Sequence, residues 1–195
     1  LSQISNSPIL SRRRFLFFSS NFSISHLLIF KKCKKCEKDM RRSMFQRDGA
    51  VVIRNLLDKR LVNVLKQGIE RNLRMPTRRA VIASTESDPG RFFEDFVAWP
   101  HIEEYRTVLR ESNIAKIGAE LTASSTIRMF HDHLLVKEPG TIQETPAHQD
   151  LPYYNISGNQ NVSFWIPVDP VGVESSPKFI AGTHTGPWYM PRTFM

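Results

Sequence analysis

The sequence predicts an α+β, mainly β domain in which helices come first and short strands follow. Two observations lead to this expectation. Apolar residues recur at helical spacing after Asp58, and beyond about residue 126 the period of the pattern changes from 3.6 to 2. Short strands separated by turns and preceded by helices indicate a β-sandwich or barrel with a helical flank. A length of 195 residues suits one such domain with a core.

The first predicted elements are a strand and an amphipathic helix. Residues 49–53 are rich in β-branched side chains and follow a turn signal at Asp48-Gly49. Asp58 is a good N-cap, and Pro76 ends the helix that it begins. We expect the inner face of this helix to carry the residues at helical spacing, Leu61, Val62, Leu65, Ile69 and Leu73.

Beyond this helix the pattern predicts a loop, two helices and then only strands. Turn-forming residues dominate 76–90, which is therefore expected to be a loop. The later elements are helices near 101–110 and 114–121, followed by strands within 126–137, 143–154, 161–168 and 178–181.

The net charge of +8 is confined to the start of the chain. Residues 1–43 hold ten Lys or Arg and two acidic side chains, whereas residues 44–195 hold 17 of each sign. A neutral domain offers no phosphate-binding face, so nucleic acid is not an expected partner. No apolar run approaches the ~20 residues that a membrane span requires, and the sequence leaves the oligomeric state open.

Residues 1–43 are expected to lie outside the domain, which we place at 44–195. The segment is rich in Ser and Arg and has no acidic residue before Glu37, a composition typical of organellar transit peptides. The alternative is spurious translation upstream of Met40 or Met44. The first interpretation implies a mitochondrial or plastid protein and the second a cytoplasmic one. A Cys33–Cys36 pair in this segment lacks the second pair of a zinc site and is expected to be incidental.

The strongest chemical signal is His148-Gln149-Asp150. In a strand, residues i and i+2 point to the same face, so His148 and Asp150 would project together. An imidazole and a carboxylate, with a second histidine from elsewhere, form the facial triad that holds Fe(II) in non-haem oxygenases. A zinc site built from His131, His133 and His148 is a weaker alternative.

Several segments around this motif resemble the phytanoyl-CoA dioxygenase family. The family typically opens with an "F-x-x-D-G" segment, and a "K-x-P-G" segment later precedes a "P-x-H-Q-D" strand. A tryptophan strand and a turn ending in histidine follow. The matching segments here are FQRDGAVVI at 45–53, HDHLLVKEPG at 131–140, PAHQD at 146–150, WIPVD at 165–169 and FIAGTH at 179–184.

The resemblance implies a double-stranded β-helix, that is, a cupin-like jelly-roll core with flanking N-terminal helices. It also implies an enzyme that uses Fe(II) as cofactor and 2-oxoglutarate as co-substrate. Such an enzyme hydroxylates a small organic or acyl substrate with O₂ and releases succinate and CO₂. The identity of the substrate is not readable from the sequence. A non-catalytic jelly-roll binding protein, or pseudoenzyme, is the alternative that stays open.

The resemblance also assigns roles to individual residues. His148 and Asp150 correspond to two of the metal ligands. His184, in the turn after the fourth strand, is not expected to be a ligand. Four residues are expected to bind or border 2-oxoglutarate: Arg91, His133 (where methionine is common), Gln149 and Trp165. Lys137 is a further cationic candidate beside His133.

Two functional residues of the family have no counterpart before Met195. These are the second iron-binding histidine and the arginine that anchors the distal carboxylate of 2-oxoglutarate. The last strands of the jelly roll are also missing from the pattern. The sequence therefore predicts a C-terminally truncated fragment that is inactive as written, although its full-length parent would be an enzyme.

Overall fold

The computed structural model describes residues 13–19, 34–142 and 144–189. It confirms the α+β class: one antiparallel sheet is packed against helices. The strands are β1 (Arg13–Ser19), β2 (Val81–Ile82), β3 (Phe92–Phe96), β4 (His131–Lys137) and β5 (Phe164–Pro167). The helices are α1 (Lys34–Asp48), α2 (Lys59–Arg74), α3 (Glu103–Glu111) and α4 (Ile114–Thr122).

Helix α2 forms as the sequence predicts. Asp58 accepts a hydrogen bond from the Leu61 amide at 2.7 Å, which satisfies one of the free donors of the first turn. Its inner face carries Leu61, Leu65 and Ile69, all of which are buried in the main core. Burying a side chain of this size contributes roughly 1.5–3 kcal/mol. This face fixes the position of the helix on the sheet.

The sheet has the strand order β2-β3-β4-β1-β5. Alternate residues of β4 are buried, as expected when one face of a strand meets a core. Leu134 and Val136 lie on the core face, and Leu16 of β1 pairs with Leu134 there. His131 and His133 therefore lie on the opposite face, away from α2. The helices cover one face of the sheet and leave these histidines on the other.

A buried carboxylate joins α2 to β3. Asp95 is inaccessible to solvent and accepts hydrogen bonds from Asn72 Nδ2 at 2.7 Å and from the backbone N–H groups of Thr77 and Phe96 at 2.8 Å each. The Thr77 hydroxyl donates a further bond at 2.5 Å. Tyr105 of α3 extends the network by donating to Asn72 Oδ1 at 3.2 Å. This network links helix, loop and strand at one point.

The structure confirms some predicted elements and corrects others. The helices expected near 101–110 and 114–121 are α3 and α4, and the strands expected within 126–137 and 161–168 shorten to β4 and β5. The strands predicted at 49–53 and 178–181, and the one within 143–154, are wrong for the residues that the structure describes.

Physical reasons account for these three errors. Val51 and Ile53 use their apolar side chains to pack against α4 and need no strand partner. Pro146 and Pro152 lack the N–H groups that a ladder requires, and a 3₁₀ turn occupies Leu151–Tyr153. Gly182 has a φ of +81° and begins another 3₁₀ turn.

Four elements were not predicted. Strands β2 and β3 lie in and just after the expected loop, where Glu94 and Asp95 interrupt the apolar pattern. Strand β1 and most of helix α1 lie in the basic segment that we set aside. The division of the chain at residue 43 stays a prediction. In the described part of the chain no helix is long and apolar enough to cross a membrane.

Candidate metal centre

His148 and Asp150 face one another in the segment of chain that connects β4 to β5. His148 Nε2 lies 3.2 Å from Asp150 Oδ1, and the two side chains are 24% and 32% exposed. His148 Nδ1 lies 2.8 Å from the carbonyl oxygen of Pro146. A carbonyl only accepts, so Nδ1 carries a proton and the neutral imidazole has its lone pair on Nε2. A nitrogen and an oxygen donor thus point to one place.

A turn, and not a strand, brings this pair together. Asp150 has helical backbone angles, and its carbonyl accepts a hydrogen bond from the Tyr153 amide at 2.9 Å. Asp150 Oδ2 accepts from the Ser163 hydroxyl at 3.1 Å, which leaves Oδ1 for His148. The sequence argument placed both side chains together for a different reason. It missed the roles of Ser163 and of the Pro146 carbonyl, although the P-x-H spacing was visible.

When Nε2 is also protonated, the imidazolium of His148 donates a hydrogen bond to Asp150 Oδ1. This bond raises the pKa of His148 above the usual value, while partial burial acts in the opposite direction. The contact with the Pro146 carbonyl and the nearby negative charge of Asp150 add to the increase. Without a metal ion, the imidazole is therefore protonated over a wider pH range than an ordinary histidine.

Aromatic rings connect this pair to the start of β4. The ring of Tyr154 meets the ring of His131 edge-on at 5.0 Å and that of Phe130 at 5.3 Å. Tyr153 contacts His148 edge-on at 6.0 Å. Burial lowers the pKa of His131, and the Asp150 carboxylate opposes that change. A neutral second imidazole therefore lies on the same side of the sheet as the His148–Asp150 pair.

His133 and Trp165 lie level with each other on the sheet. Both are paired in register with Phe17, so strand β1 separates them by about two strand spacings, or roughly 10 Å. The His133 ring stacks on Phe96 at 3.9 Å, and its Nε2 lies 3.4 Å from Glu94 Oε2. The structure thus places two of the predicted co-substrate residues on one face.

Arg91 lies elsewhere. Its guanidinium forms an ion pair with Glu138 at 2.9 Å and lies 5.7 Å from the ring of Phe93, beyond the last residue of β4. Six residues of extended chain separate the two ends of β4, which corresponds to about 20 Å. Arg91 and His131 are therefore at opposite ends of that strand. The structure does not bring Arg91 to the His148–Asp150 pair.

Lys137 shares that distant end. Its ammonium group lies 4.5 Å from the ring centre of Phe92, its partner in the β3–β4 register. A cation over an aromatic face is favourable by about 0.5–1 kcal/mol at exposed sites. Arg91 and Lys137, the two predicted cations, thus each lie near a phenylalanine ring at the same end of β4. Their role toward 2-oxoglutarate stays a prediction.

Gln149 has a different position from its two neighbours. Its side chain is buried and donates to the carbonyl oxygens of Thr183 at 3.0 Å and Pro187 at 3.4 Å. The side-chain oxygen Oε1 of Gln149 accepts from the Tyr189 backbone amide at 2.7 Å. The family resemblance implies that the backbone of Gln149 lies beside the co-substrate. The structure shows its side chain holding residues 183–189 against the segment that carries His148 and Asp150.

We expect Gln149→Ala to lower the free energy of unfolding by about 2 kcal/mol, because it removes three hydrogen bonds between a buried side chain and the backbone of residues 183–189, each worth about 0.5–1.5 kcal/mol. Amide hydrogen exchange in 183–189 should accelerate at the same time. Gln160→Ala is the matched control, since Gln160 is exposed and donates one bond to the Thr122 carbonyl. Equal effects of the two substitutions on exchange in 183–189 would contradict the role given to Gln149.

His184 is not part of this site. Its Nε2 lies 2.9 Å from the carbonyl oxygen of Gln46, and its exclusion from the metal ligands stays a prediction. Within residues 13–19, 34–142 and 144–189, no three His, Cys, Asp or Glu side chains are grouped so that they could hold a metal ion. The described site is a pair of donors, and the three-histidine zinc alternative is not present in that part of the chain.

Comparison with known proteins gives one match. The family model for phytanoyl-CoA dioxygenase (PhyH) matches residues 45–194, which is most of the chain and includes His148, Asp150 and Trp165. The chain has no significant match among curated proteins or among solved structures.

Proposed function

The chain belongs to the phytanoyl-CoA dioxygenase family, and we propose that it is built to hydroxylate a small organic or acyl substrate with O₂, Fe(II) and 2-oxoglutarate. The observation that carries this proposal is the 3.2 Å approach of His148 Nε2 to Asp150 Oδ1. These two residues match the metal-binding motif to which the resemblance pointed. The reaction would release succinate and CO₂.

The two donors fit a ferrous ion. Imidazole nitrogen and carboxylate oxygen are the ligand types of the facial triad, and a separation near 3 Å suits neighbouring positions on one metal. The Pro146 carbonyl fixes the tautomer of His148, and Ser163 fixes the carboxylate of Asp150. Such outer contacts orient metal ligands in known sites. Bound iron would supply the activation of O₂ and of 2-oxoglutarate.

The protein's own residues would then position and enclose the reactants. Phe130, Tyr153 and Tyr154 form a chain of ring contacts from β4 to the donor pair and would border the bound reactants on that side. We propose that 2-oxoglutarate lies over the sheet face that carries His133 and Trp165. Arg91 remains the proposed cationic partner for this dianion. To reach it, Arg91 would have to give up its ion pair with Glu138, and its segment would have to move about the length of β4 toward the His148–Asp150 pair.

We further propose that the five-stranded sheet is one wall of a double-stranded β-helix. Its helix-covered face and its site-bearing face follow the arrangement that such a core requires. The order of the family's segments along residues 45–194 supports this interpretation.

A non-catalytic jelly-roll binding protein is the second candidate. It is favoured by one observation: the described residues present two donors and no third beside them. Two ligands hold a divalent ion less tightly than three, so binding without turnover is a distinct outcome.

Anaerobic titration separates the two candidates. We expect Fe(II) and 2-oxoglutarate together to give a visible absorption band that neither gives alone, because both must meet at one site. On admission of O₂, an oxygenase forms succinate from 2-oxoglutarate, and a binding protein does not. Asp150→Ala should remove the band, whereas Asp88→Ala, in a distant loop, should leave it intact. A band that survives Asp150→Ala would refute the assignment of the metal centre.

A further inference from the structure

Strand β1 fills a gap between two strands that are not otherwise joined. Its residues 13–19 pair antiparallel with β4, and its residues 15–18 pair antiparallel with β5. Among the described strands, β4 and β5 are not hydrogen-bonded neighbours, because β1 lies between them. Without β1, each of these strands would present a row of unpaired N–H and C=O groups to the other.

The gap recognises this strand through Arg14. The guanidinium donates to the Asp169 carboxylate from Nε at 2.8 Å and from Nη2 at 2.9 Å, and the Arg14 backbone N–H donates to Asp169 Oδ2 at 3.2 Å. Arg14 also contacts Glu70 of α2. The side chains of Arg14 and Asp169 are only 16% and 10% exposed. A carboxylate that is bound by two N–H groups of one guanidinium selects for arginine, because both the positive charge and the planar arrangement of the donors must match.

The next side chain on the same face is aliphatic and fully buried. Leu16 pairs in register with Leu134 and Ile166 and belongs to the main core beneath α2. The acceptor therefore offers a carboxylate pocket and, two residues along the strand, an apolar one. Backbone pairing at a sheet edge provides affinity without sequence preference, and pockets for alternate side chains provide selectivity.

Asp169 is 155 positions from Arg14 in the sequence. If β1 left the gap, the Asp169 carboxylate would retain the ammonium group of Lys66 at 3.6 Å. Burial acts to raise the pKa of Asp169, but the hydrogen bonds and charge of Arg14 outweigh it, and the pKa is lowered. The strand and its acceptor are thus matched in charge as well as in shape.

We propose that the gap between β4 and β5 is a binding site for an extended peptide with an arginine two residues before a buried aliphatic residue, and that residues 13–19 of this chain are its ligand. The strand is bound through the same contacts that would bind a separate peptide. This inference rests on β1 and its neighbours and is independent of the proposed oxygenase function.

A labelled peptide with the sequence of residues 11–21 tests the proposal against the full chain. We expect Arg14→Glu in the protein to weaken its own strand and to raise its affinity for the peptide at least tenfold over the wild-type chain. The same peptide carrying Arg14→Glu should bind at least tenfold more weakly. Arg60→Glu is the matched control in the protein, since Arg60 forms an exposed ion pair with Glu111. Equal affinities of the protein for the wild-type peptide and for the Arg14→Glu peptide would overturn the proposal.

A second measurement covers the case in which Arg14→Glu prevents folding. The double variant Arg14→Glu with Asp169→Arg restores opposite charges across the same contact. We expect it to recover folding and the slow amide exchange of residues 14–18, compared with either single variant. If the double variant is no more stable than either single variant, and its residues 14–18 exchange no more slowly, then Arg14 does not select the strand.

Discussion

Replacing His148 with alanine is expected to weaken Fe(II) binding at least 100-fold. The substitution removes one of two donors that meet at 3.2 Å, and Asp150 alone is a poor site for a divalent ion. Anaerobic titration with Fe(II), or with Mn(II) as a redox-stable probe, measures the change. Ser163→Ala, which frees the other carboxylate oxygen, should cost a smaller factor of about ten.

The same site should show a defined dependence on pH. A metal ion requires neutral imidazole, and contact with Asp150 raises the pKa of His148. Metal affinity should therefore fall as the pH drops through that raised value, at a higher pH than for an ordinary histidine. His101→Ala is the control, because His101 is exposed and distant in sequence from the site. Equal losses of affinity in the His101 and His148 variants would contradict the assignment.

Replacing Asp95 with alanine is expected to lower the free energy of unfolding by about 3–5 kcal/mol. The carboxylate is inaccessible to solvent and accepts from Asn72, from the Thr77 amide and hydroxyl, and from the Phe96 amide. Its removal leaves the buried Asn72 amide and three partly buried donors without this acceptor, and an unsatisfied buried group costs about 1–3 kcal/mol. Denaturant unfolding at constant slope measures the loss.

Asp88→Ala is the comparison for this second prediction. Asp88 accepts one hydrogen bond, from the Thr85 amide at 2.9 Å, in an exposed loop. We expect its loss to cost about 1 kcal/mol or less. Asp95→Asn should fall between the two, because the amide keeps one acceptor oxygen. A cost for Asp95→Ala no larger than that for Asp88→Ala would show that the network does not hold α2 to β3.

The sequence predicted those elements whose signals are local. Helix α2 follows from a capping aspartate, an apolar stripe and a terminating proline, all within one segment. Strand β1 could not be predicted in this way, because the carboxylate that pairs with its Arg14 belongs to Asp169, far along the chain. Strand β3 was obscured because Asp95 is a buried acidic residue whose partners are not adjacent in sequence.

The residues of the candidate site also fall into those that the sequence predicted and those that only the structure shows. His148 and Asp150 were found because their spacing and the family resemblance agree, and the structure brings them together through a turn. Arg91 was proposed from the family resemblance and from its positive charge, and an ion pair with Glu138 at the far end of β4 now competes with that role. The contributions of Ser163 and of the Pro146 carbonyl depend on tertiary geometry that spacing does not encode.

The central position of β1 has a consequence for how the chain is made. Residues 13–19 are synthesised long before their ladder partners at 131–137 and 164–167. Closing such distant pairs slows folding, since much chain entropy is lost before any contact forms. During synthesis this aromatic-rich segment therefore has no strand partners until β4 and β5 have been made. In that interval the unpaired segment is open to aggregation with other chains.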